Sequence, residues 1–282
     1  MLKKPKGWYK EIALRPVARV DGYESYEKIC GIVAEMYYSV KEEDLLWGLK
    51  NNPAESKYIT LYTLFKIGQA KCPAYWVGKD LLEALQQSLL TVEIQELNWA
   101  MKTGLFMLPK DVIFSPENKS VDAIYWHYDT EQDILFWACS DGDSFFCRRF
   151  KLNGQKLTFT DSEDIDPKVV AGFNEYIQSI FLRLILIMQC RPELVDAEEK
   201  RQKVTVNQGF GKAQAQDLYQ PLWIGQEYRL KREGTVSSDG SKQVGTRSPD
   251  WRRGFIRNQP YGEGRQKRKL VWIEPVLVMG GE

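Results

Sequence analysis

The chain is poor in the side chains on which most catalytic and zinc sites depend. It has one histidine, His127, and five cysteines, none of which forms a Cys-x-x-Cys pair. A Ser/His/Asp or Cys/His triad needs a histidine, and a structural zinc site needs four nitrogen or sulfur ligands. His127 lies between Trp126 and Tyr128 in a predicted strand, which favours a packing role. The sequence therefore predicts no catalytic residues, no metal ligands and no cofactor, and favours a binding protein over an enzyme.

Membrane and export signals are also missing from the sequence pattern. The most apolar run, residues 177–188, contains Arg183 and is shorter than the ~20 apolar residues that a bilayer span needs. The N-terminal residues lack the apolar segment of a signal peptide. The cysteines are odd in number and widely spaced, which is typical of reduced thiols. These features predict a cytoplasmic protein with no membrane partner.

Charge is distributed unevenly along a chain whose formal net charge is +1. Residues 242–269 carry nine Lys or Arg against two acids, whereas residues 1–241 carry 30 basic and 34 acidic side chains. Aromatic residues are interleaved with this C-terminal basic band. A mildly acidic body with a basic band indicates a polyanionic partner.

Hydrophobic periodicity predicts an α+β fold. Residues 1–102 form a mostly helical N-terminal region, and residues 103–282 form an α+β region; the two can pack as a single domain. The predicted helices of the first region are 24–40, 42–50, 56–70 and 79–90. Residues 193–216 are charged and polar, which is typical of a linker or an exposed helix.

The second region combines an antiparallel sheet with one buried central helix. Four strands are predicted as a meander, with Asn153-Gly154 as a hairpin turn before the last of them: 123–128, 134–139, 145–152 and 157–160. The central helix begins near Asp166-Pro167 and ends at Arg191-Pro192. Residues 270–278 are predicted as a final strand, so the basic band becomes a long loop between strands.

This basic band is the leading candidate site. Arginine offers a planar fork of donors that matches phosphate oxygens, and the rings of Trp251, Phe255 and Tyr261 can stack on bases or on the arginine planes. The predicted nucleic-acid-binding residues are Arg252, Arg253, Arg257, Arg265, Lys267, Arg268, Lys269, Trp251 and Tyr261. A solvated basic loop that pairs with the acidic body explains the same residues. A second set of acids, Asp141, Asp143 and Asp164 among them, is compatible with Mg²⁺, although turn formation and helix-start electrostatics also explain these acids.

The C-terminal motifs carry a resemblance to a known family. Residues 248–254 read Ser-Pro-Asp-Trp-Arg-Arg-Gly, and Arg-Asn-Gln, Tyr-Gly-Glu-Gly-Arg and Lys-Leu-Val-Trp-Ile-Glu-Pro follow by residue 275. This pattern resembles a family of bacterial, phage and plasmid proteins and is similar to a type V anti-CRISPR protein, which lowers production of the effector nuclease during its translation. The family pattern carries histidine where this chain has Asp250 and Phe255.

The resemblance and the charge pattern together predict a mobile-element-associated binding protein. We expect it to engage RNA or a ribonucleoprotein, with the translation machinery among the candidate partners, through the basic band. One alternative is an inhibitor module that contacts an acidic protein surface without nucleic acid. A second alternative is a Mg²⁺-dependent nuclease.

Overall fold

The computed structural model describes residues 16–52, 55–94, 101–142, 144–152, 157–160, 170–196, 201–206, 214–233 and 250–278. The α-helices are α1 (Tyr26–Ser39), α2 (Glu42–Asn51), α3 (Ser56–Ala70), α4 (Lys79–Gln86) and α5 (Val170–Cys190). The first strands are β1 (Ala74–Val77), β2 (Ser88–Ile94), β3 (Thr103–Met107), β4 (Ala123–Asp129), β5 (Ile134–Ser140), β6 (Phe145–Lys151) and β7 (Leu157–Thr160). The later strands are β8 (Arg201–Val206), β9 (Gln214–Tyr219), β10 (Leu222–Ile224), β11 (Lys231–Glu233), β12 (Asp250–Arg252), β13 (Gly254–Tyr261), β14 (Lys267–Ile273) and β15 (Val276–Val278).

A six-stranded sheet in the order β10-β1-β3-β4-β5-β6 organises the fold. Strand β1 is parallel to both of its neighbours, and β3 to β6 are antiparallel. Successive side chains of a strand point to opposite faces, and here both faces are apolar. Phe106, Trp126 and Trp137 belong to one core, whereas Tyr125 and Phe136 belong to the other. The sheet is therefore buried on both sides.

Helices cover the two faces of this sheet. Helices α1, α2 and α3 supply apolar residues to one core, and α4 and α5 supply them to the other. Among the described residues, α5 alone is long and apolar enough to cross a membrane, but most of its most apolar stretch is buried within the fold. Arg183 of α5 is buried and donates a 2.9 Å hydrogen bond from Nη1 to the carbonyl of Leu85.

Three smaller sheets complete the structure. A four-stranded sheet has the order β14-β13-β2-β7, a three-stranded sheet has the order β11-β15-β12, and β8 and β9 form an antiparallel ribbon. Strand β13 is parallel to β2 and antiparallel to β14, which makes β13 and β14 a hairpin. Ile256 of β13 and Trp272 of β14 are buried in the same core as α5. The hairpin is thus attached to the body through one of its faces.

The α+β class, with antiparallel strands and a helix packed on them, is confirmed, but four details differ. The predicted four-strand meander stops at three, because β7 pairs with β2 and not with β6. Helix α4 ends at Gln86, and residues 88–94 form β2. The predicted linker contains β8 and the start of β9, which pair as an antiparallel ribbon. The predicted final strand is broken at Glu274-Pro275 into β14 and β15, which belong to different sheets.

Some predictions lie outside the described residues or stay predictions. The Asn153-Gly154 turn and the helix start at Asp166-Pro167 fall outside the described ranges. The division at residue 102 stays a prediction, although β1 and β2 from the N-terminal region pair with strands from the C-terminal region. The end of α5 before Pro192 agrees with the expected stop.

Candidate nucleic-acid interface

Residues 254–269 of the basic band belong to a β-hairpin, not to the loop predicted from sequence. Seven cross-strand pairs join β13 to β14, from Phe255 opposite Ile273 to Tyr261 opposite Lys267. The connection at the tip contains Gly262 and Gly264 with φ of 80° and 64°, values that favour glycine. These glycines therefore build the tip turn.

Alternation along the hairpin separates its two faces. The face that contains Ile256 and Trp272 is buried at its base, so their neighbours along each strand lie on the opposite face. We call this opposite face the outer face. It contains Phe255, Arg257, Gln259 and Tyr261 from β13 and Lys267, Lys269, Val271 and Ile273 from β14.

The outer face is apolar near the base and cationic toward the tip. Phe255 pairs with Ile273 on one side and with Leu89 of β2 on the other, which forms an apolar row across three strands. Phe255 and Ile273 are 38% and 39% exposed. Farther out, Lys269 places its Nζ 5.9 Å from the centroid of the Tyr261 ring, which is 43% exposed. Rings and cations thus share one solvent-facing surface.

The outer-face cations Arg257, Lys267 and Lys269 are exposed. Within the described ranges, no ion pair joins any of these three side chains to a carboxylate. Since β14 is at the edge of its sheet, its lysines also deter pairing with another chain. The sequence also allowed the basic band to pair with the acidic body. Among the described residues, these three positions form no such ion pair.

The other predicted site residues lie elsewhere. Arg268 is exposed but lies on the face opposite to the outer face, and Arg265 lies in the tip turn. Trp251 and Arg252 lie in β12, in the three-stranded sheet, where Trp251 is half-buried, and Arg253 links β12 to β13. Four of the nine predicted residues therefore share the outer face: Arg257, Tyr261, Lys267 and Lys269.

Several motif residues have structural roles at the base of the hairpin. A Cβ at Gly254 would lie 2.6 Å from Oγ of Ser88 and 2.7 Å from both the Ile273 carbonyl oxygen and Cδ of Pro275. Gly254 is therefore required by close packing. The Trp272 indole donates a 3.0 Å hydrogen bond from Nε1 to Oγ of Ser88.

A charged cluster fastens the same base to the central helix. Glu274 accepts a 2.7 Å hydrogen bond from Nη1 of Arg191 and lies 2.9 Å from Nζ of Lys231. Arg191 also pairs with Glu193 and lies over the ring of Trp272, 5.7 Å from its centroid. Burial raises the pKa of Glu274, but the two cations outweigh burial and hold this pKa below its usual value. The carboxylate is therefore a stable charge at neutral pH.

A protein-family model matches most of the chain. The AcrVA2-like model, described as the anti-CRISPR type V subtype A2 family, matches residues 75–280. The chain belongs to this family. Neither a curated protein nor a solved structure matches the chain.

The AcrVA2-like match confirms the resemblance read from the C-terminal motifs and supports a mobile-element-associated inhibitor role. It begins at Tyr75 in β1 and includes the basic hairpin, so α1 to α3 precede it. The family description names a CRISPR class and gives no support to the translation machinery as a partner. At the two positions where the family pattern carries histidine, Asp250 is exposed in β12 and Phe255 lies on the outer face.

The sequence identified Phe255 as a stacking ring but missed its apolar neighbours on the outer face of this AcrVA2-like chain. Ile273 and Leu89 were not among the predicted site residues, and only the register of β2 with β13 brings Leu89 beside Phe255. Alternation of exposed and buried residues over 254–257 was the available signal. This signal was weak, because the side chains of β13 from residue 257 to the tip are polar or exposed on both faces.

Of the three acids proposed for Mg²⁺ in this AcrVA2-like chain, Asp141 lies within the described residues and has a structural role. Asp141 is buried, and its Oδ1 accepts a 2.9 Å hydrogen bond from the amide of Ser144. Asp143 and Asp164 lie outside the described ranges. Among the described residues, no group of three or more His, Cys, Asp or Glu is placed to hold a metal ion.

His127 lies on the opposite side of the molecule's main sheet from α5, among aromatic residues. Its Nδ1 is 2.8 Å from Oγ1 of Thr103, and its ring centroid is 5.7 Å from that of Tyr62. Burial, and to a smaller extent the Lys66 ammonium, lower the pKa of His127 to about 4. The histidine is therefore neutral at pH 7.

Proposed function

We propose that this anti-CRISPR family member acts by binding RNA, or the RNA-containing effector of a type V CRISPR system, through the outer face. The observation that carries the proposal is the presence of Arg257, Lys267 and Lys269 beside Tyr261 on one exposed face of an anchored hairpin. We place this activity in the cytoplasm, where a CRISPR ribonucleoprotein meets invading nucleic acid.

Phosphate attraction explains why such a face would favour RNA. Each cation that neutralises a phosphate releases condensed counterions, so affinity falls as salt concentration rises. Phosphate contacts set position and affinity but do not read base sequence. The proposed complex is therefore salt-dependent and only weakly selective for sequence.

The test is a charge-neutralised variant with a matched control. Arg257→Gln, Lys267→Gln and Lys269→Gln together should weaken binding to labelled RNA and reduce the log–log salt slope by up to about 2, at roughly 0.7 per phosphate on a single strand. The control variant changes Lys41, Lys57 and Lys151 to Gln, which removes the same charge from exposed positions outside the hairpin. It should bind RNA as the parent does.

Equal affinity of the outer-face variant and the control variant at each salt concentration would contradict the proposal. The apolar row of Phe255, Ile273 and Leu89 favours one second candidate, an inhibitor that contacts an acidic protein surface directly. In that case a loaded type V effector would still bind after its exposed RNA had been digested with nuclease. Loss of the complex on digestion supports the RNA proposal.

A further inference from the structure

We infer that the outer face is a stacking platform for single-stranded RNA, on which unpaired bases lie against Phe255 and Tyr261. This inference rests on the proposed function and adds the class of RNA and the residues that hold the bases. The sequence offered Phe255 as a stacking ring, but its place on one face with Tyr261 and the three cations emerges only from the register of β2, β13 and β14.

Both rings belong to one strand and one face. Phe255 and Tyr261 are six residues apart on β13, so about 20 Å separates them at ~3.3 Å per residue. Arg257 lies on the same face between them, and Lys269 and Lys267 lie opposite the outer half of the strand. A single strand laid along β13 would place bases on the rings and its phosphates beside the cations of the hairpin.

The exposed rings favour a single strand over a duplex. In a duplex the flat faces of the bases are covered by their neighbours, so rings on the protein gain nothing from them. In a single strand every base has a free face, and stacking on an aromatic ring is tolerant of sequence. A face that served only to grip a duplex backbone would need the cations and not Phe255 or Tyr261, which remain 38% and 43% exposed.

The anchored base of the hairpin supports this use. The opposite side of the same strands is fixed by Ile256 and Trp272 in the core, and Trp272 is further held by Ser88 and Arg191. The rings therefore have a defined position before a ligand arrives. Less conformational entropy is lost when bases stack on a preformed surface.

The inference is tested with two RNA probes and ring-removing variants. One probe is oligouridine of about 12 nucleotides, within the roughly 4–16 nucleotides that comparable single-strand sites cover. The other is a blunt duplex with the same number of phosphates. Phe255→Leu with Tyr261→Leu should weaken oligouridine binding by about tenfold or more and leave duplex binding unchanged, because stacking is lost and the charges remain.

A conservative variant separates stacking from folding. Phe255→Tyr with Tyr261→Phe retains both rings and should bind oligouridine within about twofold of the parent, while thermal melting checks that all variants are folded. Leucine variants that bind oligouridine as the parent does, or a parent that prefers the duplex, would overturn the platform and leave the proposed RNA binding intact. If the parent binds neither probe nor the loaded effector, the proposed function fails as well.

Discussion

Arg191 and Glu274 are joined by a 2.7 Å hydrogen bond between residues 83 positions apart. Arg191 follows the last residue of α5, and Glu274 follows the last residue of β14. The bond therefore connects the central helix to the strand that carries Lys267 and Lys269. Lys231 adds a second cation to the same carboxylate, 2.9 Å away. The basic hairpin is thus fixed to the core by charge as well as by packing.

Removing the charge of Glu274 should lower stability. Glu274→Gln removes the anion that Arg191 and Lys231 share, and we expect the free energy of unfolding to fall by about 1.5–3 kcal/mol, the range for hydrogen bonds to charged groups. Glu193→Gln is the matched control, because Glu193 pairs with the same Arg191 but is exposed. Urea unfolding at pH 7 should show a clearly smaller loss for the control. Equal losses would mean that the bond to Glu274 has no special role.

Adding one methyl group at Gly254 should disrupt the base of the hairpin. The new Cβ would lie within 2.7 Å of backbone and proline atoms that cannot rotate away, so Gly254→Ala should cost about 1–3 kcal/mol through overpacking. Gly31 provides the control, because it lies in α1 with no atom within 4 Å of an added Cβ. Gly31→Ala should raise stability by about 0.5–1 kcal/mol through helix propensity. Thermal melting of the two variants in opposite directions is the expected result.

Acid should destabilise the fold partly through His127. Its pKa is lowered to about 4 in the folded chain from 6.5, so the unfolded chain binds the proton more readily. The stability contribution is present above pH 6.5 and is lost as the pH falls toward 4. Between pH 7 and 4.5, His127→Gln should therefore lose about 2–3 kcal/mol less than the parent, at about 1.36 kcal/mol per pKa unit. Parallel stability curves for the two proteins would show that the histidine is not protected.

Two adjacent cations on β14 should contribute unequally to RNA binding. Lys269 lies on the outer face beside Tyr261, whereas Arg268 lies on the other face of the same edge strand. Lys269→Gln should lower the salt slope for oligouridine by about 0.7, and Arg268→Gln should lower it by less. Both changes remove one charge from one strand, so net charge cannot explain a difference. The opposite ranking would place the RNA on the other face.

Local patterns predicted the parts of the fold that depend on neighbours in sequence. Helix α3 has the predicted bounds of residues 56–70, and the three strands of β4, β5 and β6 form the predicted antiparallel meander. The predicted partner of β7 was wrong. The turn signal at Asn153-Gly154 indicates a hairpin but does not show whether the edge of another strand pairs with β7 instead. Strand β2 offers that edge, and it follows directly after a helix whose periodicity was assumed to continue.

The sequence predicted the charge of the candidate site but not its secondary structure. Basic residues in 252–269 were identified by count, yet they were predicted to form a long loop between strands. The hairpin forms because Ile256 and Trp272 bury one face beside Leu90, a contact between distant parts of the chain. That contact also decides which cations share a surface, so Arg257 and Lys269 could not be separated from Arg268 by sequence alone.

The pairing of Ser88 with Gly254 has a consequence for the order of events during synthesis. The two strands are parallel, and 166 residues separate these partners. At about 5–20 residues per second, a ribosome needs roughly 10–30 s to make the intervening chain. At the start of that interval neither β7 nor β13 has been made. The backbone N–H and C=O groups of β2 must then bond to water or form transient contacts. The outer face is consequently absent from the growing polypeptide until residues 254–273 have been synthesised.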